Sequence, residues 1–291
     1  MATATQPTQP TRPAPAPARS PRAGRPGSGR VGGWVRDHLV TFFGLLGLVY
    51  LFVPIFVVVL FSFNRPTGRF NYTWVRFSFD AWTSPCDVSG ICDSLLVSLK
   101  IGLLATLAAT LLGTLAAFAL ARHRFRGRSV ANLLVFLPMA TPEVVAGSSL
   151  LTLFINIGVP LGQMTIFIAH VMFCVSFVIV TVKSRLAGMD PRLEQAAMDL
   201  YANRTQTFLR VTLPLVLPGI VSAALLSFSL SFDDFIITNF NAGSTVTFPM
   251  FVWGAYQRAL PVQVNVIGTA MLLVSLVLVG VGRLVSRVRN R

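Results

Sequence analysis

Charge is scarce in this 291-residue sequence. Lys, Arg, Asp and Glu together make up 12% of it and hydrophobic residues 54%, whereas a soluble domain is roughly a quarter charged. That balance excludes an ordinary water-soluble domain and makes the chain a membrane protein. Acidic residues are scarcer still, ten against 24 Lys and Arg, for a net charge of +14. The excess does not mark a nucleic-acid binder, because the basic residues form short clusters between apolar blocks rather than one patch. Cysteines number three. Cys174 sits inside an apolar block, while Cys86 and Cys92 share one polar loop. These two can bridge if the loop faces an oxidising compartment, and are otherwise two unpaired thiols; the bridge is expected. No G-x-x-x-x-G-K-[ST] loop is present, so no ATP site is expected here, and any ATP must be bound and hydrolysed by another chain. H-E-x-x-H and nucleophile-elbow patterns are also missing, which leaves an intramembrane enzyme without support, and no cofactor or metal site is expected. A secondary transporter would need a complete binding site and usually an internal repeat, and neither is visible.

What is present is a series of bilayer-length apolar blocks. Residues 1–33 precede them, rich in Pro, Ala, Arg, Ser and Gly, without the apolar core of a signal peptide. They cannot bury enough surface to fold and are expected to be a disordered basic tail, with residues 34–291 forming the transmembrane domain. The blocks run from about His38 to Phe63, Leu95 to Ala121, Val130 to Val182 (two crossings, broken near Gly158–Gly162), Leu215 to Phe240 and Val262 to Leu284. Six crossings put both termini on one side. Arginine marks that side as cytoplasmic: Arg12, Arg19, Arg22, Arg25, Arg30 and Arg36 in the tail, Arg122, Arg124, Arg126 and Arg128 in the first inner loop, Lys183 and Arg185 in the second, and Arg283, Arg287, Arg289 and Arg291 at the end. The loop from Asn64 to Asp93 carries no positive excess and is expected outside, where Trp74, Phe77, Phe79 and Trp82 lie at the membrane interface or pack as a small cap. Phe248–Tyr256 is expected as a short interfacial helix.

One long polar passage, Asp190 to Ile220, has a pattern of its own. Asp190-Pro191 reads as a helix start. Leu193, Ala196, Ala197 and Leu200 fall at i, i+3, i+4 and i+7, a narrow stripe of small and apolar residues, with Glu194 and Asp199 off it. Asn203 and Gln206 have capping-box spacing and open a second helix with Phe208, Val211 and Leu215 on its apolar side. Glu194-x-Ala196-Ala197, Leu200, Phe208-x-x-Val211-Thr212-Leu213-Pro214 and Pro218 resemble the EAA loop of the permease subunits of binding-protein-dependent ATP-binding-cassette importers. ARHRFRGR, LPMATPEVVAGSSLLTLF and SFSLSFDDFIITNF resemble the spermidine/putrescine branch of that family, nearest to the second of its two permease subunits.

The resemblance implies an all-α, six-helix permease of the type I importer fold in the bacterial inner membrane. Loop 190–214 would be its cytoplasmic coupling helix, docking on the ATPase through Glu194, Ala196, Ala197, Asp199, Leu200 and Tyr201. The implied partners are a second permease subunit, two ATPase subunits and an extracytoplasmic solute-binding protein, and the implied solute is a polyamine, another small solute being the alternative. One position departs from the family: Tyr201 stands where Gly usually allows a left-handed turn, and Asn203 is the residue that could take that role.

Of the ten acidic residues, Glu143, Asp233 and Asp234 lie within bilayer-length blocks, where a carboxylate is costly and faces a cavity or a partner. Together with Phe235 they are the candidates for a cation path. Glu143 follows Pro138 and Pro142, which open the helix backbone, roughly 20 Å from the inner end; the Asp pair comes roughly 28 Å after Pro214. Asp233 and Asp234 are about 100° apart on a helix and cannot both face one narrow pore. His170, alone among apolar neighbours, is expected to be a hydrogen-bonded packing residue.

Overall fold

The computed structural model describes residues 30–289, so most of the tail expected over 1–33 lies outside the described residues. From Arg30 the chain is already helical: α1 spans Arg30–Phe61. Its part up to Phe56 forms a unit by itself, separate from Val57 onward. In that unit Phe42, Phe43, Leu46 and Tyr50 are all exposed, as suits a helix clothed by lipid or protein rather than water.

The second unit holds the remaining helices: α2 (Asp80–Thr83), α3 (Ile91–Arg122), α4 (Arg128–Ala140), α5 (Glu143–Asn156), α6 (Gln163–Ala187), α7 (Arg192–Asp199), α8 (Arg204–Thr207), α9 (Leu213–Asp233), α10 (Ile236–Asn241), α11 (Phe248–Arg258) and α12 (Val262–Arg289). A five-residue π turn, Phe208–Thr212, joins α8 to α9. Among the described residues four helical stretches are long and apolar enough to cross a membrane: His38–Phe61, Ile91–Arg122, Gln163–Ala187 and Arg204–Asp233. α4 and α5 make a fifth if they count as one span, although they meet at 105°. The bend falls at Thr141-Pro142, because Pro142 has no N–H for a continuing helix and restricts the residue before it. α12 contributes a shorter apolar stretch, Val262–Val277.

α3, α6 and α9 form the core, and small residues let them approach. Ala105, Ala109 and Ala117 of α3, Ala169 and Cys174 of α6, and Val216 and Ala223 of α9 are buried. Lipid offers no hydrophobic drive between helices, so close contact must supply the attraction, and that favours small side chains at the seam. Gly113 shows how tight the seam is: a Cβ there would lie 2.6 Å from Val178 Cγ1. At the end of α9, a fifth block running unbroken to Phe240 is not what forms. Asp234 leaves the helix with ψ 122°, and α10 starts afresh beyond it.

The loop between α1 and α3 is a packed cap. Asn64 Nδ2 donates to Asn71 Oδ1 at 2.6 Å and to the Thr73 carbonyl at 2.8 Å, while its Oδ1 accepts from Val75 N–H. Phe63 stacks between Phe77 and Trp82, at 5.5 and 5.4 Å. Cys86 and Cys92 are joined in a disulfide, with Cα atoms 5.4 Å apart, which ties the loop to the first turn of α3.

Candidate functional site

The two ends of α9 carry the residues that matter, about 32 Å apart by helical rise. At its start, α7, α8 and the π turn form a compact bracket. Asp190 Oδ1 accepts from Arg192 N–H at 2.9 Å and so starts α7. The Asn203 side chain accepts from Gln206 N–H at 2.8 Å, and Gln206 Oε1 accepts from Asn203 N–H at 3.1 Å, a reciprocal capping box. Asn203 is therefore extended (φ −73°, ψ 168°) and does not make the left-handed turn. Tyr201 makes it, with φ +61°. Tyr201 is 98% exposed and Leu200 beside it 81%. Leu193, Ala196, Met198 and Asp199 are exposed too, and Ala197 is half-buried.

Glu194 behaves differently from the rest of α7. Its side chain is only 20% exposed and turns back toward the bundle. One carboxylate oxygen, Oε1, accepts from Arg122 Nη2 at 2.6 Å and from Thr212 Oγ1 at 2.6 Å. Neither donor stands out in the sequence, since Arg122 is one of a run of arginines and Thr212 lies inside a motif.

At the far end of α9 the two aspartates part. Asp233 is exposed and lines a cavity of about 870 Å³ with Phe232, Phe235, Phe248, Trp253 and Tyr256. Phe235 lies 5.5 Å from Trp253, and Trp253 lies 6.5 Å from Tyr256, ring to ring. A carboxylate among aromatic faces can hold an organic cation by charge and by cation–π attraction. Asp234 turns the other way and is 5% exposed. Its carboxylate accepts from Thr238 N–H at 2.7 Å and Thr238 Oγ1 at 2.8 Å, which caps α10. His170 completes the cluster: Nε2 lies 2.9 Å from Thr238 Oγ1 and 3.3 Å from Asp234, and Nδ1 lies 2.7 Å from Ser231 Oγ. Because Thr238 gives its proton to Asp234, a neutral ring donates from Nε2 and accepts from Ser231 at Nδ1.

Glu143 opens α5 immediately after the 105° bend and is exposed. No backbone N–H freed by the prolines bonds to it among the described residues, and it does not line the Asp233 cavity. One turn later Gly147 packs under α10, where a Cβ would meet Phe240 at 2.8 Å, and its carbonyl accepts from Asn241 Nδ2 at 3.3 Å. Trp253 and Tyr256 are lining residues that sequence reasoning missed. The short helix carrying them was expected, but as a membrane anchor.

A bundle of bilayer-length apolar spans with small-residue seams, a polar bracket at one end and a cavity holding a carboxylate at the other is an all-helical membrane protein. Residues 109–290 match the model of the family described as binding-protein-dependent transport system inner membrane component. The chain is 36% identical over 256 residues to the spermidine/putrescine transport system permease protein PotC of Haemophilus influenzae, covering 88% of this chain and 99% of that one. It is 34% identical to PotC of Escherichia coli K12 (83% and 91% covered) and 36% identical to the putrescine transport system permease protein PotI of the same organism (78% and 83%). Among solved structures it resembles a chain of a bacterial ABC transporter that imports alginate, with TM-score 0.61, 17% identity and 89% and 99% covered. A chain of the MetNI methionine ABC transporter follows, with TM-score 0.54, 16% identity and 67% and 94% covered. The chain belongs to the family of inner membrane components of binding-protein-dependent transport systems, and is an ABC importer permease.

Proposed function

We infer that this permease forms half of the translocation pathway of an ATP-driven importer of polyamines. The observation that carries the reading is the similarity, along 78 to 88% of the chain, to permeases named for spermidine and putrescine. The Asp233 cavity supports it chemically, since a flexible organic cation suits a carboxylate walled by Phe232, Phe235, Trp253 and Tyr256. In this reading the chain crosses the bacterial inner membrane six times, with α4–α5 and α12 as crossings and both termini cytoplasmic. α7 is the coupling helix. Its outer face, Leu193, Ala196, Met198, Leu200 and Tyr201 with the half-buried Ala197, meets an ATPase subunit that binds and hydrolyses ATP. A second permease completes the pore, a second ATPase pairs with the first, and an extracytoplasmic binding protein delivers the solute to the Asp233 end. Glu143, at the bend, is the next carboxylate met on the way through.

The assembled transporter in proteoliposomes, with its binding protein, tests this. Labelled spermidine should accumulate when ATP is supplied to the ATPase side, with no ion gradient. Asp233→Asn should reduce uptake at least tenfold. ATP-independent uptake driven by an ion gradient, or an unaltered rate in Asp233→Asn, would overturn the mechanism or the site respectively.

A further inference from the structure

Glu194 is the only residue of α7 whose carboxylate is drawn into the bundle, and it touches two other elements at once. Arg122, its first donor, is the last residue of α3. Thr212, its second, closes the π turn from which α9 rises, and is itself buried. Both donate to the same oxygen at 2.6 Å, so a single atom of α7 joins the end of α3 to the residue that caps α9. Phe118, one turn before Arg122 on α3, braces the same corner by an edge contact with Phe208, ring centroids 5.3 Å apart. The π turn takes up one residue more than an α turn, so Thr212 sits one residue out of α-helical register with α8. The joint is shielded on the Thr212 side, which is buried, and open to solvent on the Arg122 side: the Arg122 side chain is 34% and that of Glu194 20% exposed. Charge-assisted bonds of that length are short and directional, unlike a mobile surface ion pair.

We propose that Glu194 is an intramolecular strut: it fixes α7 to the ends of α3 and α9, so that displacement of the bracket moves both core helices together. This rests on the reading of α7 as the coupling helix. That reading gives the outer stripe of α7 to the ATPase, and Glu194 lies off that stripe, on the side facing the bundle. Glu194 is a positioning residue. Its loss lets α7 dock and be pushed while α3 and α9 lag behind, so ATP is spent without matching transport.

The test is the ratio of ATP hydrolysed to solute moved by the full reconstituted transporter, with spermidine as the probe. Glu194→Arg alone and Arg122→Glu alone each place like charges at the joint and should raise that ratio tenfold or more. The double variant, Arg122→Glu with Glu194→Arg, restores opposite charges and should bring the ratio back to within about threefold of the unaltered protein. Thr212→Val keeps the shape and removes one donor; it should raise the ratio severalfold, and it decides the matter if the charge variants fail to accumulate in the membrane. Absence of rescue in the double variant, or an unchanged ratio in Thr212→Val, overturns the strut. Ala197→Trp separates the two readings: if it leaves ATPase assembly intact, the coupling-helix reading fails, whereas blocked assembly without charge-swap rescue sinks the strut alone.

Discussion

Tyr201→Gly changes two energies in opposite directions, and the structure supplies the terms. At φ +61° a residue with a Cβ is strained, by about 1–2 kcal/mol. Glycine removes that strain but costs about 0.5–1 kcal/mol more backbone entropy on ordering. The free subunit should therefore gain about 0.5–1 kcal/mol locally, a rise of about 2 °C in melting temperature at most. Against this stands the side chain of a residue 98% exposed in the isolated chain. Burying about 150 Å² of it against an ATPase subunit is worth at most about 4 kcal/mol by area. Ordering and imperfect desolvation leave about 1–2 kcal/mol, or about five- to thirtyfold in docking affinity. The assay pairs a thermal melt of the purified permease with titration of the ATPase subunit onto permease held in nanodiscs. The expected result is a more stable permease that docks more weakly. A Tyr201→Gly permease that docks as tightly as the unaltered one, or melts lower, would refute the argument that the strain is kept for the contact.

Three further outcomes follow from single contacts. Gly113→Ala places a Cβ 2.6 Å from Val178 Cγ1, and the overpacking should cost about 1–3 kcal/mol, read as a lower melting temperature and partly relieved by Val178→Ala. Glu143→Gln keeps the size of the side chain at the bend but removes its charge; polyamine uptake should fall severalfold with subunit assembly retained, and an unaltered rate would remove Glu143 from the path. Cys86 and Cys92 are bonded, and the six-crossing reading proposed above puts their loop outside, so intact cells should label at these cysteines with a membrane-impermeant thiol reagent only after reduction. Labelling that requires lysis would invert the topology.

How much of this was legible beforehand depended on whether a feature is local. The four long spans, the Asn203–Gln206 capping box and the short helix over Phe248–Tyr256 are set by residues near one another in sequence, and the pattern showed them; the prolines read as opening a helix that crosses, whereas the chain turns there by 105°. Where the left-handed turn falls is also local, yet Asn203 was the wrong choice. An asparagine can cap a helix or adopt positive φ, and here its side chain is already committed to Gln206 N–H, which leaves the strain to Tyr201. The partners of Glu194 are not local. Arg122 is 72 residues away, and nothing in a run of arginines says which one turns inward. The aromatic wall of the Asp233 cavity joins α9 to α11 across a loop, a distance that periodicity does not see.

The aspartate pair shows what such long-range contacts do for function. Two neighbouring carboxylates in a membrane are affordable only if each finds compensation, and adjacent positions on a helix point about 100° apart. Asp234 finds its partners within the protein, in Thr238 and His170. In meeting that need it also ends α9 and starts α10 at a fixed angle. Asp233, the last residue before that break, is left outside the cluster and facing the cavity. Its compensation has to come from water or from a cation that arrives. A buried His–Asp cluster therefore orients a neighbouring exposed carboxylate, and the two residues have separate duties despite being adjacent and identical. Substituting Asp234 acts on the angle between α9 and α10, whereas substituting Asp233 acts on the charge a solute would meet.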